Sequence, residues 1–392
     1  MGENDGRGSD GGGSILSVPL EQLHRDRTSV KWRRYGPDVI PMWIAEMDCA
    51  PCPAVVDAVS AAVARGDTGY AMTEAYAAQF ASLAEDEWGW TVDPATTTRV
   101  TDVLTGVTHV LRLLTDSGGP VVVSPPVYNA FFDVIEACGR RAVEAPLDSS
   151  LRLDLDRLAK VFASVTARGD RAVYLLSNPH NPTGTVHTPA ELEALAALAD
   201  EHGVRVVSDE IHAPLVMPTS TFTPYLTVTG SGRGVVVTSA SKAWNLAGLK
   251  AAIIVPGPEA VDDLRRLHPF VTFGASHLGV IAQTAAYRDG RDWVRRLVVE
   301  LDTNRRLLAD LVAEHLPGVR LVLPEATFLA WLDLEGLGLG DDPTGELLRR
   351  ARVALSPGTI FGAVGQDHAR LNYGTSPDVL REAVGRIASS LG

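Results

Sequence analysis

Between about residue 100 and residue 255, short runs of Val, Ile and Leu alternate with longer helix-like stretches. The runs are Pro120–Val123, Ala172–Leu176, Val204–Val207, Gly234–Val237 and Ala251–Val255. The helix-like stretches include Val107–Thr115, opened by Thr105-Gly106, and the amphipathic Pro189–His202. Strands this apolar, without polar alternation, need cover on both faces, which predicts a mostly parallel sheet in an α/β chain. Ligands of such sheets collect at the carboxyl ends of the strands. The polar residues Asn178–Asn181, Asp209 and Ser239–Lys242 fall at three such ends.

With 392 residues, 45% of them hydrophobic, the chain exceeds one small domain. A large unit with a smaller companion is expected. The Gly-rich, polar residues 1–14 read as a disordered tail. Residues 15–48 read as the N-terminal part of the small unit, 49–288 as the large one, and 289–392 as the rest of the small one. Within these, Met42–Met47 reads as strand-like, and Ala54–Arg65 and Ala75–Trp88 as helices. Beyond a long helix, Trp293–His315, the runs Val319–Val322, Phe328–Leu332 and Arg370–Asn372 read as strands, with Asp378–Leu391 as a closing helix.

A formal net charge of −13 repels phosphate backbones, which argues against nucleic acid as a partner. The basic cluster Lys31-Trp32-Arg33-Arg34 reads as a solvated face. Three cysteines, Cys49, Cys52 and Cys138, suit a reducing cytoplasm rather than a disulfide framework. Cys49-Ala50-Pro51-Cys52 has redox spacing but lacks the expected helix-start context and a second metal-ligand pair. No apolar run approaches the roughly 20 residues that span a bilayer, and residues 1–14 carry no secretory h-region.

Lys242 stands just past a strand end, among Ser239, Ser241 and, eight residues on, Lys250. A Schiff-base lysine needs such a partly desolvated place near a phosphate, which hydroxyls and an ammonium can hold. A surface lysine in a Ser-rich loop has the same local sequence. Asp209 ends the preceding strand and could pair with a ring nitrogen; it could equally cap a helix. Asn181-Pro182-Thr183-Gly184 makes a tight turn that can aim an amide, or is a plain turn. Tyr128, after Pro125-Pro126-Val127, can stack on a flat ring or simply fill the core. Free N–H groups where Gly106-Val107-Thr108 opens a helix could bind phosphate, as at any helix start. Arg370 suits two-point carboxylate recognition, or a surface ion pair.

Taken in order, these segments resemble fold-type I pyridoxal 5′-phosphate (PLP) enzymes of the class I/II aminotransferase superfamily, from about residue 28 to 390. Within it the chain resembles the cystathionine β-lyase and cysteine-S-conjugate β-lyase group, the MalY/PatB type. The resemblance rests on Pro41–Asp48, Pro126-Val127-Tyr128, Ser177–Pro182, Ser208–His212 and Ser239–Leu249. His212 stands where aminotransferases usually carry Tyr. Glu46, where the group commonly has Asp, and Tyr373–Ser376 depart from its pattern, both on the substrate side.

The resemblance implies a PLP-transferase fold and a role for each residue. Lys242 would carry PLP as a Schiff base, Asp209 would pair with the pyridine nitrogen and Asn181 would reach the phenolic oxygen. Tyr128 would stack on the ring beside His212. Ser239, Ser241, Lys250 and the Gly106–Thr108 turn would hold the phosphate, joined by Tyr70 from the other subunit of a homodimer whose active sites are shared. Arg370, with Trp43 and Ile44 nearby, would bind the amino-acid substrate. The implied reaction is α,β-elimination: Lys242 takes the Cα proton, thiolate leaves, and pyruvate and ammonia follow. An aminotransferase on the same frame, a decarboxylating or oxidising relative, or a non-catalytic regulator would need no other fold.

Overall fold

The computed structural model describes residues 13–72 and 74–392. Most of the tail expectation lies outside the described residues. Ser14, at its expected end, is anchored: its hydroxyl donates to Glu300 at 2.9 Å, and the N–H groups of Ile15 and Leu16 donate to the same carboxylate.

The α/β architecture follows the alternation of the sequence. Seven strands form the large sheet: Thr98–Val100 (β1), Pro120–Val123 (β2), Arg141–Glu144 (β3), Val173–Ser177 (β4), Arg205–Asp209 (β5), Val235–Thr238 (β6) and Ala252–Pro256 (β7). Their order is β1-β7-β6-β5-β4-β2-β3. The pairs from β3 across to β6 are parallel, while β7 and β1 close one edge antiparallel. Every residue of β2, β4, β6 and β7 is buried, as two-sided cover requires. The short, polar β1 and the exposed β3 lie at the two ends of this order and gave no apolar run to read.

Register places the site. Ser177 pairs with Asp209, and Asp209 with Val237, so the last residues of β4 and β5 lie beside the end of β6. The turns Asn178–Asn181 and Ser239–Lys242 therefore leave the sheet on either side of Asp209.

Helix α1, Val103–Leu114, packs on this sheet through Val103, Val107, Val110, Leu111 and Leu114, one face at helical spacing. Full burial of each such side chain is worth about 1.5–3 kcal/mol. A Cβ at Gly106 would come within 2.9 Å of Val237, so glycine here sets how closely α1 approaches β6.

A second sheet, ordered β10-β11-β9-β8, is built from Arg320–Leu321 (β8), Leu329–Asp333 (β9), Ser356–Pro357 (β10) and His368–Asn372 (β11). Helices α2, Arg291–His315, and α3, Pro377–Leu391, pack against each other.

The strand expected over Met42–Met47 is not formed. Only Ile40–Pro41 pairs, in parallel with Val353–Ala354. Met42 still bonds backbone on both sides, its N–H to the Ala354 carbonyl and its carbonyl to the Asn372 N–H, each at 2.9 Å; beyond it the chain bends at Ile44–Ala45, and the backbone groups of Trp43–Met47 bind side chains instead of a ladder. Lys31 and Trp32 also depart from the expected solvated face. Lys31 is 1% exposed, its ammonium 2.7 Å from Asp48, and the Trp32 indole N–H donates to the same carboxylate.

The three cysteines are buried and unpaired. No helix among the described residues is long and apolar enough to cross a membrane, and no group of His, Cys, Asp or Glu among them could hold a metal ion.

Candidate active site

A cavity opens at the carboxyl ends of β4 and β5 and beside the turn that follows β6. Asn181, Asp209, His212, Ser241, Lys242, Tyr128, Asp102 and Lys250 line it, with Ala45 and Ile211 among its apolar walls. Residues from six separate stretches of sequence thus meet in one place.

Lys242 is half-buried. Its ammonium donates to the Ala45 carbonyl at 2.7 Å. Burial, reinforced by the Arg370 cation, pulls its pKa down to about 8, against the opposing pull of Asp209 and Glu46. Asp209 is pushed up to about 7 by burial, although it accepts the Ile211 N–H and faces Lys242. That bond closes a local turn; the next helical turn, Ala213–Leu215, has His212 and not Asp209 at its start, so Asp209 is not the helix cap of the alternative reading. His212 is brought down to about 3 by burial, then by Lys242 and Arg370, so it is neutral. Its Nδ1 is buried without a partner, and its ring meets Phe328 edge-on. Burial raises the Tyr128 phenol.

Arg370 is 4% exposed, on β11. It donates to Asn181 Oδ1 and the Trp43 carbonyl, each at 3.1 Å, and to Ser356 at 3.4 Å; its guanidinium lies 4.8 Å from the Phe361 ring centroid. Burial lowers its pKa to about 10. Those hydrogen-bond partners are all neutral, and its Nε has none. A buried cation without a counter-charge is costly. An incoming carboxylate would remove that cost, which no surface ion pair would explain.

The expected phosphate turn is displaced. Helix α1 begins at Val103, not near Gly106, because Asp102 caps it by accepting the Thr105 N–H at 2.8 Å. Its free N–H groups therefore lie at Asp102–Leu104, which line the cavity. Gly106 and Val107 are buried against the sheet, and the Thr108 hydroxyl is spent on the Leu104 carbonyl. Lys250 does line the cavity, 3.0 Å from Asp102. Ser241 lines it too, whereas Ser239 points into the scaffold, its hydroxyl against the Ala251 carbonyl and Gln283. Tyr70 stands outside, 91% exposed. Trp43 and Ile44 lie on the bent segment and reach the site through their carbonyls, bound by Arg370 and Asn372.

Asp102, Gln283, Asn372 and Ala45 escaped the sequence reading. Asp102 carried a usable signal, an Asp three residues ahead of Thr105 at a helix start. Gln283 did not: it receives Tyr76, Ser239 and the Ala240 N–H on one oxygen, from two distant segments. The donor set as it stands fits PLP: a half-buried amine of lowered basicity, a buried acid, an aromatic face, an amide, and a helix start with a lysine for the phosphate.

Comparison with known proteins agrees with this geometry. A Mycobacterium tuberculosis protein named "Putative cystathionine beta-lyase" is 47% identical, the match covering 96% of this chain and 98% of that protein. The Bacillus subtilis cystathionine beta-lyase PatB is 32% identical over 93% of this chain and 96% of its own. The crystal structure of the PLP-bound C-S lyase from Staphylococcus hominis superposes with a TM-score of 0.86 at 25% identity, covering 94% of this chain and 96% of that one. Residues 37–387 match the family described as aminotransferase class I and II, and the chain belongs to that family.

Proposed function

We propose that this chain is a PLP-dependent carbon–sulfur β-lyase that cleaves cystathionine or cysteine S-conjugates to a thiol, pyruvate and ammonia. The observation that carries the reading is a cavity at strand ends lined by Lys242, Asp209 and Asn181, with a buried, uncompensated Arg370 behind it that donates to Asn181. The relatives named as cystathionine and C-S lyases support it.

Lys242 would hold the cofactor's aldehyde carbon, Asp209 its ring nitrogen, Asn181 its phenolic oxygen and Tyr128 one ring face. Lys250, Ser241 and the Asp102–Leu104 amides would hold its phosphate. When bound, PLP supplies an electron sink for charge left on the substrate Cα. A cationic ring nitrogen beside Asp209 would offset the burial that raises this carboxyl, and so keep it ionised.

Arg370 would take the substrate α-carboxylate and fix the direction of the Cα–H bond. The lowered basicity of Lys242 leaves a fraction of its amine neutral near pH 7, and this amine would accept the Cα proton. The neutral His212 adds no further positive charge beside it.

A second copy of the chain would complete the site. Tyr70 and Met72 are exposed by 91% and 74%, in a stretch tied through Asp67 to His277 at 2.9 Å; nearby in sequence to His277, Phe270 and Phe273 are exposed as well. An apolar face of this kind is suited to a partner subunit, with Tyr70 reaching the partner's phosphate. The small unit would comprise residues 15–48 and 289–392, and the free thiols suit a cytoplasmic setting.

The test is to supply the PLP-loaded protein with L-cystathionine and with S-alkyl cysteines. Stoichiometric pyruvate and thiol are expected. Amino transfer to a keto acid without pyruvate would replace this reading with an aminotransferase, and no turnover beside a tightly bound protein partner would replace it with a regulator.

A further inference from the structure

Asn245 lies three residues beyond Lys242 on the same turn, its N–H donating to the Lys242 carbonyl at 3.3 Å. Its φ is +56°, in the left-handed region that most side chains avoid and Asn tolerates. Its side-chain amide grips a single residue twice. Oδ1 accepts the Met47 N–H at 2.9 Å, and Nδ2 donates to the Met47 carbonyl at 2.9 Å. Two residues upstream of Met47, the Ala45 carbonyl receives the Lys242 ammonium at 2.7 Å. These three hydrogen bonds join the Lys242 turn to the bent segment Trp43–Asp48.

That segment has no ladder of its own. From the other side its Trp43 carbonyl is taken by Arg370, and its Ile44 and Glu46 carbonyls by Asn372. Beside Met47 a backbone bond also ties the segment, the Asp48 N–H donating to the Gly374 carbonyl at 2.7 Å, but between Trp43 and Met47 the position of the Ala45 carbonyl is set by side-chain clasps on both sides. Its position matters because a neutral lysine amine has two N–H bonds and one lone pair. An acceptor that holds one N–H limits rotation about Cε–Nζ, and so limits where the lone pair points.

We propose that Asn245 is a positioning residue for Lys242: by clasping Met47 it holds the Ala45 carbonyl where that carbonyl orients the lysine amine for proton transfer. The proposal rests on the lyase reading, in which the Cα proton passes to the Nζ lone pair and the C–H electron pair stays with the substrate carbon. It assigns a role to a residue that touches neither substrate nor cofactor.

The experiment uses PLP-loaded protein and the substitution Asn245→Gly, because glycine adopts φ +56° without penalty and removes only the amide. A misplacement of about 1 Å at a reacting group can cost roughly 100-fold, so kcat should fall by up to that factor while KM holds. The kinetic isotope effect with Cα-deuterated substrate should rise, because proton transfer becomes the slower step. Asn245→Asp, which keeps the acceptor for the Met47 N–H and loses the donor, should fall between the two, and it carries the same test if Asn245→Gly does not fold. The decisive arm adds each change to Lys242→Ala with methylamine supplied as base. There the further loss should be within about twofold, since the clasp acts through an amine that is gone. An equal loss in both backgrounds, or a fall in kcat with an unchanged isotope effect, would overturn the role of Asn245. Full activity of Lys242→Ala alone would instead overturn the lyase reading on which it rests.

Discussion

The site has two halves that were built in different ways. Asn181, Asp209 and Lys242 stand at strand ends of the large sheet, where each strand is fixed by its neighbours' backbones. On the other side the irregular chain Trp43–Asp48, whose Ala45 lines the cavity, is held by side chains: Arg370 and Asn372 from β11, Asn245 and Lys31. The first half places chemistry by topology, and local substitutions there remove a function without moving the frame. The second places it by hydrogen bonds to loose backbone, so substitutions far from the chemistry can shift it.

The largest effect belongs to the strand-end half. Lys242→Ala should lower pyruvate release by roughly 10⁴-fold, the upper range for a positioned acid–base group, with little change in the melting temperature of the cofactor-free protein. An activity loss that tracked unfolding would break the contrast. The same amine gives a pH test. Burial lowers its pKa from the ordinary 10.5 to about 8. The rate of PLP capture by the cofactor-free protein should therefore rise with pH and level off above about 8; a rise continuing toward 10.5 would show an open, solvated lysine. Asp209 has the opposite sign. Its raised pKa means that the cofactor-free protein is favoured with this acid protonated, and that this contribution is lost as pH rises through about 7.

The next effect belongs to the other half, and it is one of stability. Lys31→Met leaves Asp48 buried with only the Trp32 indole N–H of its two side-chain donors, and leaves the Glu46 carbonyl, which Lys31 also binds, to Asn372 alone. Breaking a buried pair from one side costs about 3–5 kcal/mol. Chemical denaturation should show that loss. If the structure is as interdependent as the clasps suggest, KM should also rise, because the Trp43 carbonyl and Arg370 share a bond. Unchanged stability would mean that Lys31 is solvated in solution, as its basic neighbours suggested.

Arg370→Gln should act on both halves at once, through its bonds to Asn181 and to Trp43. Losing a charged hydrogen-bonding partner costs the substrate carboxylate about 1.5–3 kcal/mol, or roughly 10–100-fold in kcat/KM. Stability should not suffer in proportion, since a buried charge without a counter-charge disappears with the substitution. A large drop in stability with an unaltered KM would make Arg370 a scaffold residue.

The same contrast explains what could be read from the sequence. Strands covered on both faces show as unbroken apolar runs, so β2, β4, β5, β6 and β7 were legible, and with them the strand ends that carry Asn181, Asp209 and Lys242. The Met42–Met47 run is mostly apolar too, yet it forms no strand, because beyond Met42 its partners are side chains elsewhere: Asn372 lies 328 positions from Ile44, and Asn245 lies 198 from Met47. No local pattern encodes such pairings. Lys31 was misread for the same reason, since its counter-charge is 17 residues away across a turn. At the phosphate end the error was smaller. The glycine drew attention three residues past the true helix start, although Gly106 serves packing against Val237 and Asp102 serves the cap.

That displacement gives the smallest prediction. Thr108→Ala removes a hydroxyl that already bonds the Leu104 carbonyl within the helix, so it should change neither PLP affinity nor stability by more than about 0.5 kcal/mol. Lys250→Ala, beside the true start of α1, should weaken PLP binding measurably, and Ser241→Ala less so, because a charge-assisted bond to phosphate is about twice as strong as a neutral one. Titration of the cofactor-free variants with PLP, followed by its visible absorbance, separates these cases. Should Thr108→Ala weaken binding as much as Lys250→Ala, the phosphate would have to sit a turn further along α1, over Gly106. Val237 and Val100 pack within about 3 Å of where a Cβ there would be, which leaves no room for it on that side of the helix.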